Sequence, residues 1–218
     1  MKGRKSMKYT GIIFDLDGVI CHTDKYHYQA WKSVADELGI YFDEEINNRL
    51  RGVSRMESFD IILEKYDEIM NDEEKAQWAE KKNDVYKELL KEMSCADLSQ
   101  EVKNTLQELK NRGIKMAIGS SSKNARFILN QIGLGDFFDA ISDGNNIEKS
   151  KPHPEVFLKA AEYLDLMANT CLVVEDAQAG IEAAIAGNME SAAVGDARIC
   201  KKATYHMNAF SELLRICI

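Results

Sequence analysis

The sequence predicts an α/β protein: a Rossmann-like parallel-sheet core with helices on both faces and an inserted all-helical cap domain. Three observations carry this reading. The apolar run Ile12-Ile13-Phe14 leads into Asp15-Leu16-Asp17-Gly18-Val19, which reads as a buried strand with an acidic mouth. From about Leu98 onward, helical and strand-like stretches alternate, the pattern of a parallel sheet covered by helices. Between these two regions lies a charged stretch rich in Glu and Lys, with helical spacing and no convincing strand.

Taken in order, the first strand is expected to end at Gly18, whose freedom lets Asp17 swing away from Asp15. Tyr26–Leu38 has apolar residues at helical spacing, and Gly39 follows as a stop. Further helical patterns cover Glu44–Leu50, Arg55–Tyr66 and Asp72–Met93. The alternating part then gives helix Glu101–Arg112, strand Lys115–Gly119, helix Asn124–Ile132 and strand Ala140–Ser142. Helix Pro154–Leu164, strand Thr170–Val174, helix Ile181–Ala186 and strand Ser191–Val194 complete it. The expected division is a core of residues 1–22 and 96–218 and a cap of residues 23–95, with the catalytic crevice between them.

The 218 residues suffice for one well-buried domain with an insertion. With 28 basic against 36 acidic residues the net charge is -8, and no basic patch points to nucleic acid. No apolar run approaches the ~20 residues of a membrane span. The five cysteines, Cys21, Cys95, Cys171, Cys200 and Cys217, lack metal-site spacing and read as reduced thiols of a cytoplasmic protein. The expected partner is a small molecule, and nothing demands more than a monomer. Met7 is a candidate natural start after a basic leader, Met1–Ser6.

Four polar strand ends carry the chemistry. Two carboxylates as close as Asp15 and Asp17 repel, so the pair implies either a bound divalent metal or a nucleophile with a neighbouring acid. After Lys115–Gly119 comes Ser120-Ser121-Ser122-Lys123-Asn124, which alone reads as a helix cap and in company reads as an anion site. Lys151 stands on a turn stiffened by Pro152 and Pro154. Cys171-Leu172-Val173-Val174 ends in Glu175-Asp176, oxygen donors of the kind that hard cations prefer.

In this order, Asp15-Leu-Asp17-Gly18, Ser120, Lys151-Pro152 and Glu175-Asp176 resemble the four motifs of the haloacid dehalogenase-like phosphotransferases, over Phe14 to Gly187. The helical insertion is similar to that superfamily's small cap. The resemblance implies that Asp15 is a nucleophile forming an aspartyl phosphate and that Asp17 is the general acid/base. It implies that Ser120 and Lys151 hold the transferring phosphoryl group. The implied cofactor is Mg²⁺, held by Asp15, the Asp17 carbonyl, Glu175 and Asp176, with one of the last two acting through water.

Within the cap, Tyr26-His27-Tyr28-Gln29-Ala30-Trp31, Leu50-Arg51-Gly52-Val53-Ser54-Arg55 and Lys81-Lys82-Asn83-Asp84, together with Ser122-Lys123-Asn124, resemble the beta-phosphoglucomutase family. That resemblance implies substrates such as beta-glucose 1-phosphate, glucose 6-phosphate and glucose 1,6-bisphosphate. Arg55 would grip the phosphate that is not reacting, Trp31 and Val53 would pack on the sugar, and Ser58 and Lys82 would reach its hydroxyls or phosphate. His27 would sit over Asp17. Thr23, Arg51, Gly52, Ser54, Ser121, Ser122, Lys123 and Asn124 complete the implied substrate contacts. The alternative on the same core is a Mg²⁺-dependent phosphatase of sugar phosphates or phosphoglycolate.

Overall fold

The structure is a computed structural model that describes residues 8–50 and 53–217. Among them a six-stranded parallel sheet forms the centre, in the order β3-β2-β1-β4-β5-β6. The strands are β1 (Gly11–Phe14), β2 (Lys115–Gly119), β3 (Ala140–Ser142), β4 (Cys171–Glu175), β5 (Glu190–Ala193) and β6 (Tyr205–His206). Registers Phe14↔Ile118 and Phe14↔Val174 bring the mouths of β1, β2 and β4 side by side.

The sheet is apolar on both faces because side chains alternate along each strand. Ile12 and Phe14 join Met116, Ile118, Leu172 and Val174 on one face, while Ile13 joins Ala117 and Val173 on the other. Helices α5 (Gln100–Asn111) and α6 (Ala125–Gln131) cover the first face through Val102, Leu106, Leu109, Ile128 and Leu129. Helices α7 (Glu155–Tyr163) and α8 (Gln178–Ala186) cover the second through Val156, Phe157, Ala160, Ala183 and Ala184.

Among the described residues four α-helices lie between β1 and α5: α1 (Asp24–Glu37), α2 (Glu44–Asn48), α3 (Arg55–Ile62) and α4 (Asp72–Leu90). They have their own apolar centre, where Trp31, Val34, Ile40, Phe42, Phe59 and Ile62 meet and the Trp31 and Phe59 rings stack at 5.7 Å. Tyr26 and Ala30 of α1 and Tyr86 and Leu90 of α4 belong instead to the core under the sheet. The inserted helices are therefore rooted in the body that they cover.

Several boundaries differ from the sequence reading. β1 ends at Phe14 rather than at Gly18. Asp15 N still donates to Val174 O at 2.9 Å, but Ile20 N and Cys21 N both return to Leu16 O, which folds the acidic segment into a turn. α3 gives way to a 3-10 turn at Leu63–Lys65, and α4 stops at Leu90 instead of Met93. β6 and a last helix α9 (Leu213–Ile216) complete the chain beyond the predicted elements.

Candidate active site

The mouths of β1, β2 and β4 and the inner side of α1, α3 and α4 enclose a cavity of about 500 Å³. Asp15 is the first residue past β1 and is buried. Burial pushes its carboxyl up to about 6, against the lowering pull of Lys151. Asp17 lies in the turn that follows, where burial and the Asp15 charge push its carboxyl up to about 8. Thr23, fully buried, donates its hydroxyl to Asp17 Oδ1. Gly18 closes the turn at φ +80, a left-handed conformation that glycine adopts freely.

The Lys151 ammonium lies between two acids. It donates to Asp15 Oδ1 and to Glu175 Oε1, the latter at 2.6 Å, and its side chain is 2 % exposed. Burial works to lower it, but the Asp15 and Glu175 charges outweigh this and hold it above its ordinary value. The second Glu175 oxygen accepts from Ala177 N at 2.7 Å. Glu155 steadies the loop leading to Lys151 by accepting from Glu148 N and Lys149 N at 3.1 and 2.9 Å.

The hydroxyl run after β2 forms two successive short turns. Ser120 Oγ accepts from Ser122 N at 3.1 Å, and Ser122 Oγ accepts from Asn124 N at 3.2 Å. Asn124 precedes α6 without a side-chain cap bond, so the simple helix-cap reading does not describe this segment. Ser121 Oγ is buried without a partner among the described residues, and Ser120 through Asn124 all line the cavity.

On the cap side, Lys82 of α4 is buried and its ammonium lies 4.4 Å from the centre of the Tyr86 ring and 5.0 Å from that of Trp31. Burial and the Arg55 charge bring it down to about 7. His27 faces Lys82, with Nδ1 2.9 Å from Nζ. Burial, then Lys82 and Arg55, hold the imidazole well below its usual pKa, so the neutral ring accepts from the lysine. Ser54 caps α3 in a capping box with Glu57, and Arg55 is the first residue of that helix. Arg55 Nη1 donates to Glu80 Oε2 at 3.0 Å and Nη2 to Asn83 Oδ1 at 2.8 Å. Val53 and Ser58 also line the cavity, as does Trp31 from within the cap's apolar centre. Arg51 and Gly52 lie outside the described residues.

Sequence reasoning missed Asn83 and Glu80 as cavity residues, together with Asp24, Asn47, Glu148 and Ser150. Asn83 stands beside Lys82 in the run Lys81-Lys82-Asn83-Asp84, yet its part in the cavity depends on Arg55 and on Asn124, whose Nδ2 donates to Asn83 Oδ1 at 3.0 Å.

The donor chemistry of the acidic mouth fits a hard divalent cation. A Cβ on Gly18 would meet Asp176 Oδ2 at 2.1 Å, so only glycine lets this carboxylate approach the Asp15–Gly18 turn. Asp15, the Asp17 carbonyl and Asp176 would supply three oxygens. Glu175 has both oxygens committed to Lys151 and Ala177 N. Among the described residues no three His, Cys, Asp or Glu side chains gather as a ready metal cluster, so the fit rests on two carboxylates and one backbone carbonyl.

Fold, motif order and cavity together define a phosphotransferase-type α/β enzyme with an inserted cap, and the family comparison agrees. The family model described as haloacid dehalogenase-like hydrolase matches residues 12–194, and the chain belongs to this family. It is 40% identical over 190 residues to the beta-phosphoglucomutase of Bacillus subtilis, covering 84% of this chain and 82% of that one. A crystal structure of beta-phosphoglucomutase from Clostridium difficile matches with a TM-score of 0.87 at 41% identity, covering 94% and 93% of the two chains. The phosphorylated carbohydrates phosphatase of Thermotoga maritima is 31% identical over 183 residues, 82% of each chain. No helix among the described residues is long and apolar enough to cross a membrane.

Proposed function

We propose that this enzyme is a sugar-phosphate mutase, an isomerase interconverting beta-D-glucose 1-phosphate and glucose 6-phosphate through an aspartyl phosphate and a beta-glucose 1,6-bisphosphate intermediate. One observation carries the reading: a single cavity is lined by cations from both the core and the inserted helices, Lys151 bonded to Asp15 and Arg55 bonded to Glu80 and Asn83 at the start of α3. A hydrolase needs one phosphate site, whereas a mutase must hold a bisphosphate by both ends. The similarity to two beta-phosphoglucomutases supports the same choice.

In this reading residues 23–95 form the cap and residues 1–22 and 96–218 the core. Asp15 attacks phosphorus and splits one displacement into two through a covalent intermediate. Lys151, fixed by Glu175, neutralises charge on the phosphoryl oxygens, and the Ser120–Ser122 hydroxyls and amides supply donors around them. Asp15, the Asp17 carbonyl and Asp176 would hold Mg²⁺, whose charge would offset the repulsion between the carboxylate and the phosphate dianion. Asp17, raised to about 8, carries a proton at neutral pH to give to the departing sugar oxygen, and then takes one from the next acceptor hydroxyl. Thr23 holds that carboxyl in place. Lys82, Ser58 and Val53 would face the sugar, with His27 orienting Lys82.

The test is conversion of beta-D-glucose 1-phosphate with Mg²⁺ and catalytic glucose 1,6-bisphosphate. Glucose 6-phosphate forming only when the primer is present is the expected result. Inorganic phosphate as the sole product, with no need of primer, would replace the mutase by the phosphatase.

A further inference from the structure

The Arg55 end of the cavity holds an acid that the proposed reaction does not use. Glu80 lies one helical turn before Asn83 on α4 and lines the cavity. Its Oε2 accepts from Arg55 Nη1 at 3.0 Å, and its Oε1 accepts from Asn83 Nδ2 at 3.1 Å. Asn83 Oδ1 in turn takes Arg55 Nη2 at 2.8 Å and Asn124 Nδ2 at 3.0 Å. Two oxygens carried by one helical turn thus receive donors converging from the cap and from the mouth of β2. On the mutase reading, the same donors grip the far phosphate. Glu80 and Asn83 together present oxygens as a phosphate would, and a guanidinium fork suits either.

The two residues differ in charge. Asn83 is neutral and can yield or share its bonds at little electrostatic cost. Glu80 is an anion, its side chain 58% exposed, and among the described residues the other cation facing it is Lys87, 3.7 Å from Oε1. An entering phosphate dianion is repelled by this carboxylate and must share Arg55 with it. A phosphate seated beside Asp15 faces Lys151 rather than the Glu80–Arg55 pair and is affected much less.

We infer that Glu80 is a specificity-determining residue whose carboxylate competes with the far phosphate for Arg55 and so weakens the grip on doubly phosphorylated ligands. The inference rests on the mutase reading. It gives that reaction a needed property, because the bisphosphate must let go of Arg55 and turn round before its second phosphate reaches Asp15.

The experiment compares wild type, Glu80→Gln and Arg55→Ala in the glucose 6-phosphate assay, titrating glucose 1,6-bisphosphate at low and high salt. Glu80→Gln keeps the acceptor for Asn83 and removes the charge. It is expected to lower the half-saturating bisphosphate concentration by about two- to fivefold, the scale of an exposed ion pair, with the effect shrinking as salt rises. Arg55→Ala is expected to raise that concentration. A lower value in Arg55→Ala or no change there overturns the placement of the far phosphate and the inference with it. A raised value in Arg55→Ala with an unchanged or raised value in Glu80→Gln overturns the role of Glu80 alone. Activity without any bisphosphate requirement overturns the mutase reading itself.

Discussion

Asn83 of α4 and Asn124 ahead of α6 are joined amide to amide, Nδ2 of the second donating to Oδ1 of the first at 3.0 Å. This bond links a helix of the insertion to the hydroxyl-rich mouth of β2. It ties the cap to the core at the edge of the cavity. Removing it with Asn83→Ala is expected to raise the KM for beta-D-glucose 1-phosphate by about two- to tenfold, the value of one or two ordinary hydrogen bonds. Turnover of acetyl phosphate, which does not span the cavity, should change less. Equal losses with both donors would show that Asn83 supports the fold rather than the cap contact.

Asp15→Asn should remove covalent phosphorylation altogether. The proposed nucleophile is one carboxylate just past β1, bonded to Lys151. Intact-mass spectrometry after incubation with acetyl phosphate and Mg²⁺ reads the outcome directly, with near-ultraviolet circular dichroism as the check on folding. An active variant, or one phosphorylated at another residue, would contradict the assignment.

Asp17→Ala should slow transfer to and from sugar hydroxyls by about 10²–10⁴-fold, the range for one positioned proton-transfer group. Phosphorylation by acetyl phosphate should fall less, because its leaving group needs little protonation. The comparison of the two donors by rapid-quench kinetics separates proton transfer from general damage.

Lys82 gives a pH prediction with a defined sign. Its ammonium is brought down to about 7 in the fold from an ordinary value near 10.5, by burial and by Arg55, while Asp17 pulls the other way. Between these limits the unfolded chain binds the extra proton, so this residue makes the protein more stable as pH rises. The full cost of the buried charge is present below pH 7. Asp17, at about 8, contributes the opposite slope over a lower range. From pH 8.5 to 10, therefore, the stability advantage of Lys82→Met over wild type should shrink, by at most about 1.4 kcal/mol per pH unit. Urea denaturation of both proteins across that range checks it; a constant difference would mean that the folded lysine titrates normally.

Much of the architecture is legible in the residues themselves. Ile12-Ile13-Phe14 and Cys171-Leu172-Val173-Val174 are apolar without interruption because both faces of the sheet are covered, and each ends in acids where the covering stops. β6 escaped notice because Tyr205–His206 is a two-residue edge strand with no room for a pattern. α9 is equally short. The early end of β1 depends on Cys21 and Ile20 folding back on Leu16, a return that the acidic run alone does not reveal. In the site, the core residues announce themselves by position at strand ends. Glu80 and Asn83 do not, since a charged helix face looks solvated until Arg55 and Asn124 are seen to converge on it.

The position of β1 in the sheet also governs when the enzyme becomes an enzyme. Its partners are β2 and β4, which begin at Lys115 and Cys171, so the strand carrying Asp15 waits for segments synthesised long after it. Lys151 and Asp176 arrive from the same late part of the chain. Contacts of such long sequence separation form slowly, because loop closure precedes their reward. A segment holding Asp15 and the whole cap but ending before β2 therefore lacks the two strands that flank β1 and the ammonium that pairs with Asp15.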